Sequence, residues 1–418
     1  MVIMVTITRN FELEKLRRAK GWKLVYGRRK TGKSYLIENF AKWDSYFFVK
    51  RGGEIFDKAR RKSLEYPAFV ALLEELILNG KKAVIDEFHR LPKDFLDFLH
   101  IHSGKGEIIL VSSTIWLSKR LAEKDSPILG LFSEVPVGLI DERDIITQLK
   151  GYSAPDLMIL GAYLREPLML RYLHEGKKAK EIIVDYFEGM KFLVPLLVSS
   201  VFQEEDKNFT QIYEGVVRAI ASGKVNSKEI TDFLFSRKLI PKAEHGYSQQ
   251  YLANLIKIGL VKKTRIFNNR KFIYSNSSPM IDSYFYLDEK YNFSEEEIGR
   301  KQIEEFLDII IPKNIEEFAS NLLAKCMGLQ RNRIISPSTE IDFALTRFKK
   351  LEVVGEVKWK KHISNKEIKE IEDKLSRFSC KKILVVPHKS VLERESKDIT
   401  IISAEDMERM AKTSLKAL

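Results

Sequence analysis

Gly27-Arg28-Arg29-Lys30-Thr31-Gly32-Lys33-Ser34 has the spacing G-x-x-x-x-G-K-[ST], and those residue types can hold a chain of phosphates. Two glycines let the backbone bend so that successive N–H groups point at phosphate oxygens. The positive end of a following helix adds attraction. Lys33 would neutralise phosphate charge, and the Ser34 hydroxyl would ligate Mg²⁺. Trp22–Tyr26 before the loop is an apolar run of strand type, and Ser34–Phe40 after it has helical spacing. An ordinary glycine-rich turn is the competing reading, and the strand–loop–helix setting weighs against it.

Lys82-Ala83-Val84-Ile85-Asp86-Glu87 reads as a buried strand ending in two carboxylates. Asp86 would hold Mg²⁺ through water, and Glu87 would orient or deprotonate an attacking water. Seen alone, the pair also suits a helix N-cap. A third apolar strand, Glu107–Val111, ends in Ser112-Ser113-Thr114, and a hydroxyl there, such as that of Thr114, suits sensing of a γ-phosphate. The candidate nucleotide-contacting set is therefore Gly27, Arg28, Arg29, Lys30, Thr31, Gly32, Lys33, Ser34, Tyr35, Asp86 and Thr114, with Glu87 as the catalytic carboxylate and Ser34 and Asp86 at the metal.

A second constellation lies near the C-terminal end. Glu356 and Lys358 are two apart on a strand and share a face, and Asp342 on the neighbouring strand can meet them. Asp342 and Glu356 would bind Mg²⁺, which polarises a scissile phosphate and lowers the pKa of bound water. Lys358 would position that water, and Glu317 on the preceding helix is a further candidate ligand. A solvated strand face is the bland alternative in a chain rich in Glu and Lys.

The elements that must position these groups follow from periodicity. Residues 1–143 alternate strand and helix signals, as a parallel α/β sheet does; residues 144–206 turn helical, with Gly161, Pro167 and Pro195 as punctuation, and suit a lid. Residues 207–291 show three short helices, Gln211–Ser222, Lys228–Phe235 capped by Ser227, and Ser248–Lys257, and then a basic hairpin. That layout resembles a winged helix. Gln249, Gln250, Asn254 and Lys257 would face base edges, and Lys257, Lys262, Lys263, Arg265, Arg270 and Lys271 would meet phosphates. Residues 292–418 form a further unit: helices Glu295–Ile309 and Ile315–Met327, strands near Arg333–Ile335, Glu340–Leu345 and Leu351–Trp359, a helix, and two more strands. The order of elements resembles the restriction-endonuclease core.

Composition sets the outer bounds. The chain has 418 residues, 44% hydrophobic and 31% charged, enough for about three domains. Its two cysteines, Cys326 and Cys380, exclude a zinc cluster and suggest no disulfide framework, which fits a cytoplasmic protein. The opening Met1–Val5 lacks the basic leader of a signal peptide, and no apolar run approaches the ~18 residues of a membrane span. A net charge of +13, from 71 Lys+Arg against 58 Asp+Glu, permits a polyanionic partner, with DNA first.

The motifs together resemble the archaeal ATPase family, in the STAND-like branch of AAA+ P-loop proteins. The resemblance rests on Gly27–Ser34, Val84-Ile85-Asp86-Glu87-Phe88-His89, Ser112-Ser113-Thr114, Asp125-Ser126-Pro127-Ile128-Leu129-Gly130 and the lid segment Leu160–Pro167. Glu340-Ile341-Asp342 with Gly355-Glu356-Val357-Lys358-Trp359 resembles the PD-(D/E)xK-like domain that many members carry. It implies an AAA+-like parallel sheet with helical lid, winged helix and C-terminal restriction-endonuclease-like α/β domain, and ATP with Mg²⁺ as cofactors. Many members have arginine after the Gly130 position, where this chain has Leu131. Hydrolysis is then expected to be slow, or to need a residue from a neighbouring subunit. The expected function is a DNA-binding ATPase carrying a metal-dependent nuclease-like domain. The alternative is a nucleotide-controlled switch on DNA or a protein partner, with the nuclease-like domain an inactive scaffold.

Overall fold

The computed structural model describes residues 6–114, 130–174, 176–204, 210–244, 246–336 and 339–418. Asp125–Leu129 of the motif above lies outside the described residues. The first sheet contains β1 (Trp22–Tyr26), β2 (Ser45–Val49), β3 (Ile55–Asp57), β4 (Lys62–Leu64), β5 (Lys82–Asp86), β6 (Glu107–Ser112) and β7 (Phe132–Pro136). Their order is β4-β3-β2-β5-β6-β1-β7. Strands β1, β2, β5, β6 and β7 run parallel, while β3 and β4 add an antiparallel edge.

Both faces of this sheet are covered, so its central strands are near-continuous apolar runs. Val25, Val84, Ile109 and Val111 pack on one side against Leu13 and Leu16 of the helix Asn10–Arg18 and Leu36 and Ile37 of the helix Lys33–Phe40. Leu24, Ile85, Ile108 and Leu110 pack on the other side against Phe69, Leu73 and Ile77 of Tyr66–Leu78 and Phe95 and Leu99 of Phe95–Ile101. The segment between the loop helix and β5 supplies β2, β3, β4 and the helix Tyr66–Leu78. Because β1, β5 and β6 are parallel and in register, their C-terminal ends come out at one edge.

The helices Glu142–Gln148, Ala154–Tyr163 and Ala179–Glu204 follow. Gly161 sits within the second and Pro195 within the third; neither interrupts. Helices Gln211–Ala221, Ser227–Ser236 and Gly246–Lys257 precede an antiparallel hairpin of β8 (Val261–Arg265) and β9 (Phe272–Asn276). The cap of the middle helix is Asn226 rather than Ser227, because Asn226 and Glu229 form a reciprocal capping box.

After the helix Pro279–Tyr291, residues expected as two helices form one, Arg300–Met327, running through Pro312. Interior proline costs about 3 kcal/mol. Here Phe306, Leu307, Ile310, Ile311, Ile315, Phe318, Leu322 and Leu323 keep one buried face across it, which outweighs that cost. The second sheet is β10 (Gln330–Ser336), β11 (Thr339–Arg347), β12 (Lys350–Val357), β13 (Lys381–Val386) and β14 (Thr400–Ser403), in that order. The first three strands are antiparallel, and β12, β13 and β14 are parallel. The helix Asn365–Ser376 connects β12 to β13, and Ala404–Lys416 ends the chain. Ile146, Leu160, Phe187, Leu255, Phe318 and Met407 belong to one core, so the helical segment, the three-helix segment and the flanking helices of the second sheet are packed together. Among the described residues, no helix is long and apolar enough to cross a membrane.

Candidate functional site

The loop leaves β1 at Tyr26 and enters the helix at Lys33. Gly27 is required by packing, since a Cβ there would sit 1.9 Å from the Val137 carbonyl oxygen. Gly32 caps the helix at φ 85°, a left-handed conformation that favours glycine. Thr31 is fully buried, and its hydroxyl donates to the Arg28 carbonyl at 3.0 Å. Lys33 Nζ donates to the same carbonyl at 2.9 Å, so its charge lies inside the curve of the loop.

Two arginines hold the loop from outside. Arg9 donates to the carbonyls of Thr31, Gly138 and Leu139 and to Glu12, tying loop, helix and sheet edge together. Arg28 is ion-paired to Glu166, and both are buried. Arg28, expected on the nucleotide, thus has its side chain turned to the helical segment. Neither Arg9 nor Glu166 carries a local sequence signal; their roles arise from contacts 22 and 138 residues away along the chain.

Asp86 ends β5 beside the loop. Its Oδ2 accepts the Tyr46 hydroxyl at 2.7 Å, while the buried Oδ1 has no hydrogen-bond partner among the described residues. Burial pushes its carboxyl pKa up, against hydrogen bonds from Tyr46 and Ser34 that pull it down. A buried carboxylate oxygen without a partner, next to a serine hydroxyl, fits a hydrated cation. Glu87 adopts φ 58° and turns back across the edge. Its Oε2 accepts the Ser113 hydroxyl at 2.7 Å and lies 3.4 Å from His89 Nδ1 and 3.9 Å from Arg90 Nη2. Thr114, expected as the sensor, instead bonds Ser112 Oγ at 2.8 Å, and Ser113 is the hydroxyl facing the site. β6 ends at Ser112, so both lie just beyond the strand, where the sequence alone did not say which faced in. Arg29, Lys30, Gly32, Lys33, Ser34, Tyr35, Glu87 and Ser113 surround an open cavity of about 530 Å³.

In the second sheet Asp342, Glu356 and Lys358 do converge. Lys358 Nζ is 2.8 Å from Glu356 Oε2 and 3.8 Å from Asp342 Oδ2, and the Val357 N–H donates to Asp342 at 2.9 Å. Glu356 is 1% exposed, and its other oxygen meets Lys374 Nζ, at 2.6 Å, from the following helix. Burial and the Glu356 charge raise the Asp342 pKa. For Lys358, burial lowers the pKa, but Asp342 and Glu356 outweigh it and the net shift is upward. The carboxylate of the preceding helix that faces this cluster is Glu316, not Glu317. Burial and then Asp342 push the Glu316 pKa up to about 7, while Arg333, 2.8 Å away, opposes them. Glu317 looks toward Lys262, 3.8 Å away. Among the described residues, no group of three or more His, Cys, Asp or Glu side chains could hold a metal ion. Asp342 and Glu356 supply two carboxylates, already balanced by lysines.

The basic hairpin is docked on this sheet. Ile266 bridges to Arg333 of β10, and the Phe267 N–H donates to the Arg333 carbonyl at 2.8 Å. Lys262, expected to meet phosphates, turns toward Glu317, whereas Lys257, Lys263, Arg265, Arg270 and Lys271 stay exposed. Asn254, expected to face outward, donates to the Tyr213 hydroxyl at 2.7 Å; Gln249 and Gln250 remain exposed.

No protein-family model matches the chain, and neither does any curated protein. Solved structures do match. A Walker-type ATPase of Pyrococcus abyssi is 18% identical with a TM-score of 0.50, the match spanning 67% of this chain and 96% of that one. The ORC2 protein of Aeropyrum pernix in its ADPNP–ADP complexes is 13% identical, over 74% of this chain and 93% of its own, with a TM-score of 0.36. The ORC1 protein of the same organism, in complex with DNA, is 14% identical over 70% and 95%, with a TM-score of 0.32. At these identities the likeness is one of fold: the chain shares the α/β architecture of the Pyrococcus ATPase, built on a parallel-rich central sheet.

Proposed function

We propose that the protein is a Mg²⁺-dependent P-loop ATPase of the AAA+ type, resembling the archaeal ATPases, that binds DNA and carries a metal-dependent nuclease-like domain. One observation carries the ATPase reading: Arg29, Lys30, Gly32, Lys33 and Ser34 of the loop line one cavity with Glu87 and Ser113 at the C-terminal edge of a parallel sheet, and Asp86 ends the adjoining strand β5. Lys33 releases the Arg28 carbonyl and takes a phosphate oxygen. Ser34 and Asp86 would hold Mg²⁺, Asp86 through water, and the ion would offset triphosphate charge and polarise the terminal phosphoryl group. Glu87 accepts a proton from the attacking water, and Ser113 and His89 fix its carboxylate.

The domain reading is residues 1–143 for the ATPase core, 144–206 for the lid, 207–291 for the winged helix and 292–418 for the restriction-endonuclease-like unit. Arg28–Glu166 joins the first two, so closure on nucleotide moves the helical segment with the loop. DNA contact falls to Gln249 and Gln250 and to the exposed Lys257, Lys263, Arg265, Arg270 and Lys271. A second reading, a nucleotide-controlled switch with an inactive C-terminal scaffold, is favoured by one feature: both Glu356 oxygens are held by lysines. Cleavage of DNA with Mg²⁺ or Mn²⁺ by the native protein excludes that switch.

Calorimetric titration with ATP and Mg²⁺ tests the central reading. Binding is expected for the native chain, and Lys33→Ala is expected to weaken it about 10- to 100-fold, since hydrogen bonds to charged groups contribute about 1.5–3 kcal/mol. Unchanged affinity in that variant sinks the assignment of the loop.

A further inference from the structure

The β11–β12 hairpin ends in a two-residue turn, Phe348-Lys349, between the paired residues Arg347 and Lys350. Phe348 is 89% exposed, against 73% for Phe192, the next most exposed phenylalanine among the described residues. It also adopts φ 55°, at the turn position where two-residue hairpins favour glycine. A large side chain in left-handed backbone, with no packing to offset it, is a strained residue that the fold itself does not use. Its neighbours Arg347, Lys349 and Lys350 are all exposed cations, and residues 347–351 contain no acid. Among the described residues, Lys350 is the one of the three that leans on an acid, Glu352, at 3.5 Å.

We propose that this hairpin tip is a stacking site for an unpaired nucleic-acid base, with Phe348 under the base and Arg347 and Lys349 on the flanking phosphates. An aromatic face accepts any base, and cations on either side hold the strand over it. A protein partner or a bilayer would also take an exposed phenylalanine. Three cations within four residues, with no acid, match a polyanion whose charges and flat rings alternate at short spacing. The tip is six residues along β11 from Asp342, about 20 Å at strand rise, or roughly six stacked nucleotides. A strand running from the basic β8–β9 hairpin past Asp342 therefore reaches it. The inference rests on the DNA-binding part of the proposed function and needs neither hydrolysis nor cleavage.

The test uses the full chain in EDTA, which removes cutting, with fluorescence anisotropy on a single-stranded DNA and on a blunt duplex of the same sequence. Phe348→Gly removes the ring and relaxes the turn, so its unfolding midpoint should not fall. The expected result is a loss of about 5- to 150-fold in single-strand affinity, from stacking worth about 1–3 kcal/mol per base. Duplex affinity should change less than twofold, and Phe348→Trp should restore the single-strand affinity. Equal effects on both substrates, or none on either, overturn the proposal while leaving DNA binding in place. Absence of DNA binding by the native chain overturns both readings. Loss of binding to phosphatidylserine vesicles in Phe348→Gly, with single-strand affinity intact, assigns the tip to a membrane surface instead.

Discussion

At the edge of the first sheet Asp86 keeps one buried oxygen without a partner, whereas in the second sheet Glu356, equally buried, has a lysine on each oxygen. Both carboxylates end or nearly end a strand that pairs in parallel with its neighbour. The difference lies in where the compensating charge comes from. Glu356 is neutralised by its own chain, and its cluster is complete as folded. Asp86 is held by hydroxyls, and burial outweighs them and the smaller influence of the Lys33 charge to raise its pKa, so an arriving cation finds its charge only partly compensated. The first site is thus built to gain from a ligand, and the second must first give up an internal ion pair.

The buried loop anchor should yield the largest effect. Arg28→Ala leaves Glu166, 1% exposed, as a buried charge without its partner, and is expected to destabilise by about 3–5 kcal/mol in denaturant unfolding. The added change Glu166→Gln should recover much of that loss; no recovery would mean the pair does not anchor the loop.

The comparison itself is tested by neutralising each carboxylate. Glu356→Gln should destabilise by about 1–3 kcal/mol, because Lys358 and Lys374 lose their partner but can turn toward solvent. Asp86→Asn should leave stability unchanged or raise it by about 1 kcal/mol while removing Mg²⁺-dependent nucleotide binding. Equal losses in the two variants would erase the distinction drawn between the sites.

Glu316 gives a smaller, pH-dependent effect. Folding raises its pKa from 4.5 to about 7, so the folded state holds a proton that the unfolded chain releases. That contribution is fully present below pH 4.5 and is lost as pH rises through about 7. Stability should therefore fall over this window by on the order of 3 kcal/mol, and Glu316→Gln should flatten the fall. A native-like slope in the variant would place the titration elsewhere.

Much of this was legible in residue types and spacing. The octet Gly27–Ser34, the strand ending Asp86-Glu87 and the set Asp342, Glu356, Lys358 were found because the spacing of two along a strand, or of a tight loop between strand and helix, constrains direction locally. What could not be read was rotation about an element. Glu316 and Glu317 are adjacent on a helix and point about 100° apart, and only packing of Phe318, Leu322 and Leu323 selects which one meets Asp342. Lys262 and Lys263 on β8 differ in the same way. Pro195, expected as punctuation, does not end its helix, and Arg300–Met327 runs through Pro312, because local breaking tendency is weaker than an apolar face that continues on both sides.

The sequence by itself determined the chemistry present in each cluster and the alternation of strand and helix, since both depend on neighbours a few residues apart. Tertiary structure alone decided that Arg28 would be spent on Glu166, that Lys374 would close on Glu356, and that the basic hairpin would lie against β10. Those pairings join residues 138, 18 and 67 positions apart; the first two form because buried charges must find partners, and the third because backbone N–H and C=O groups must.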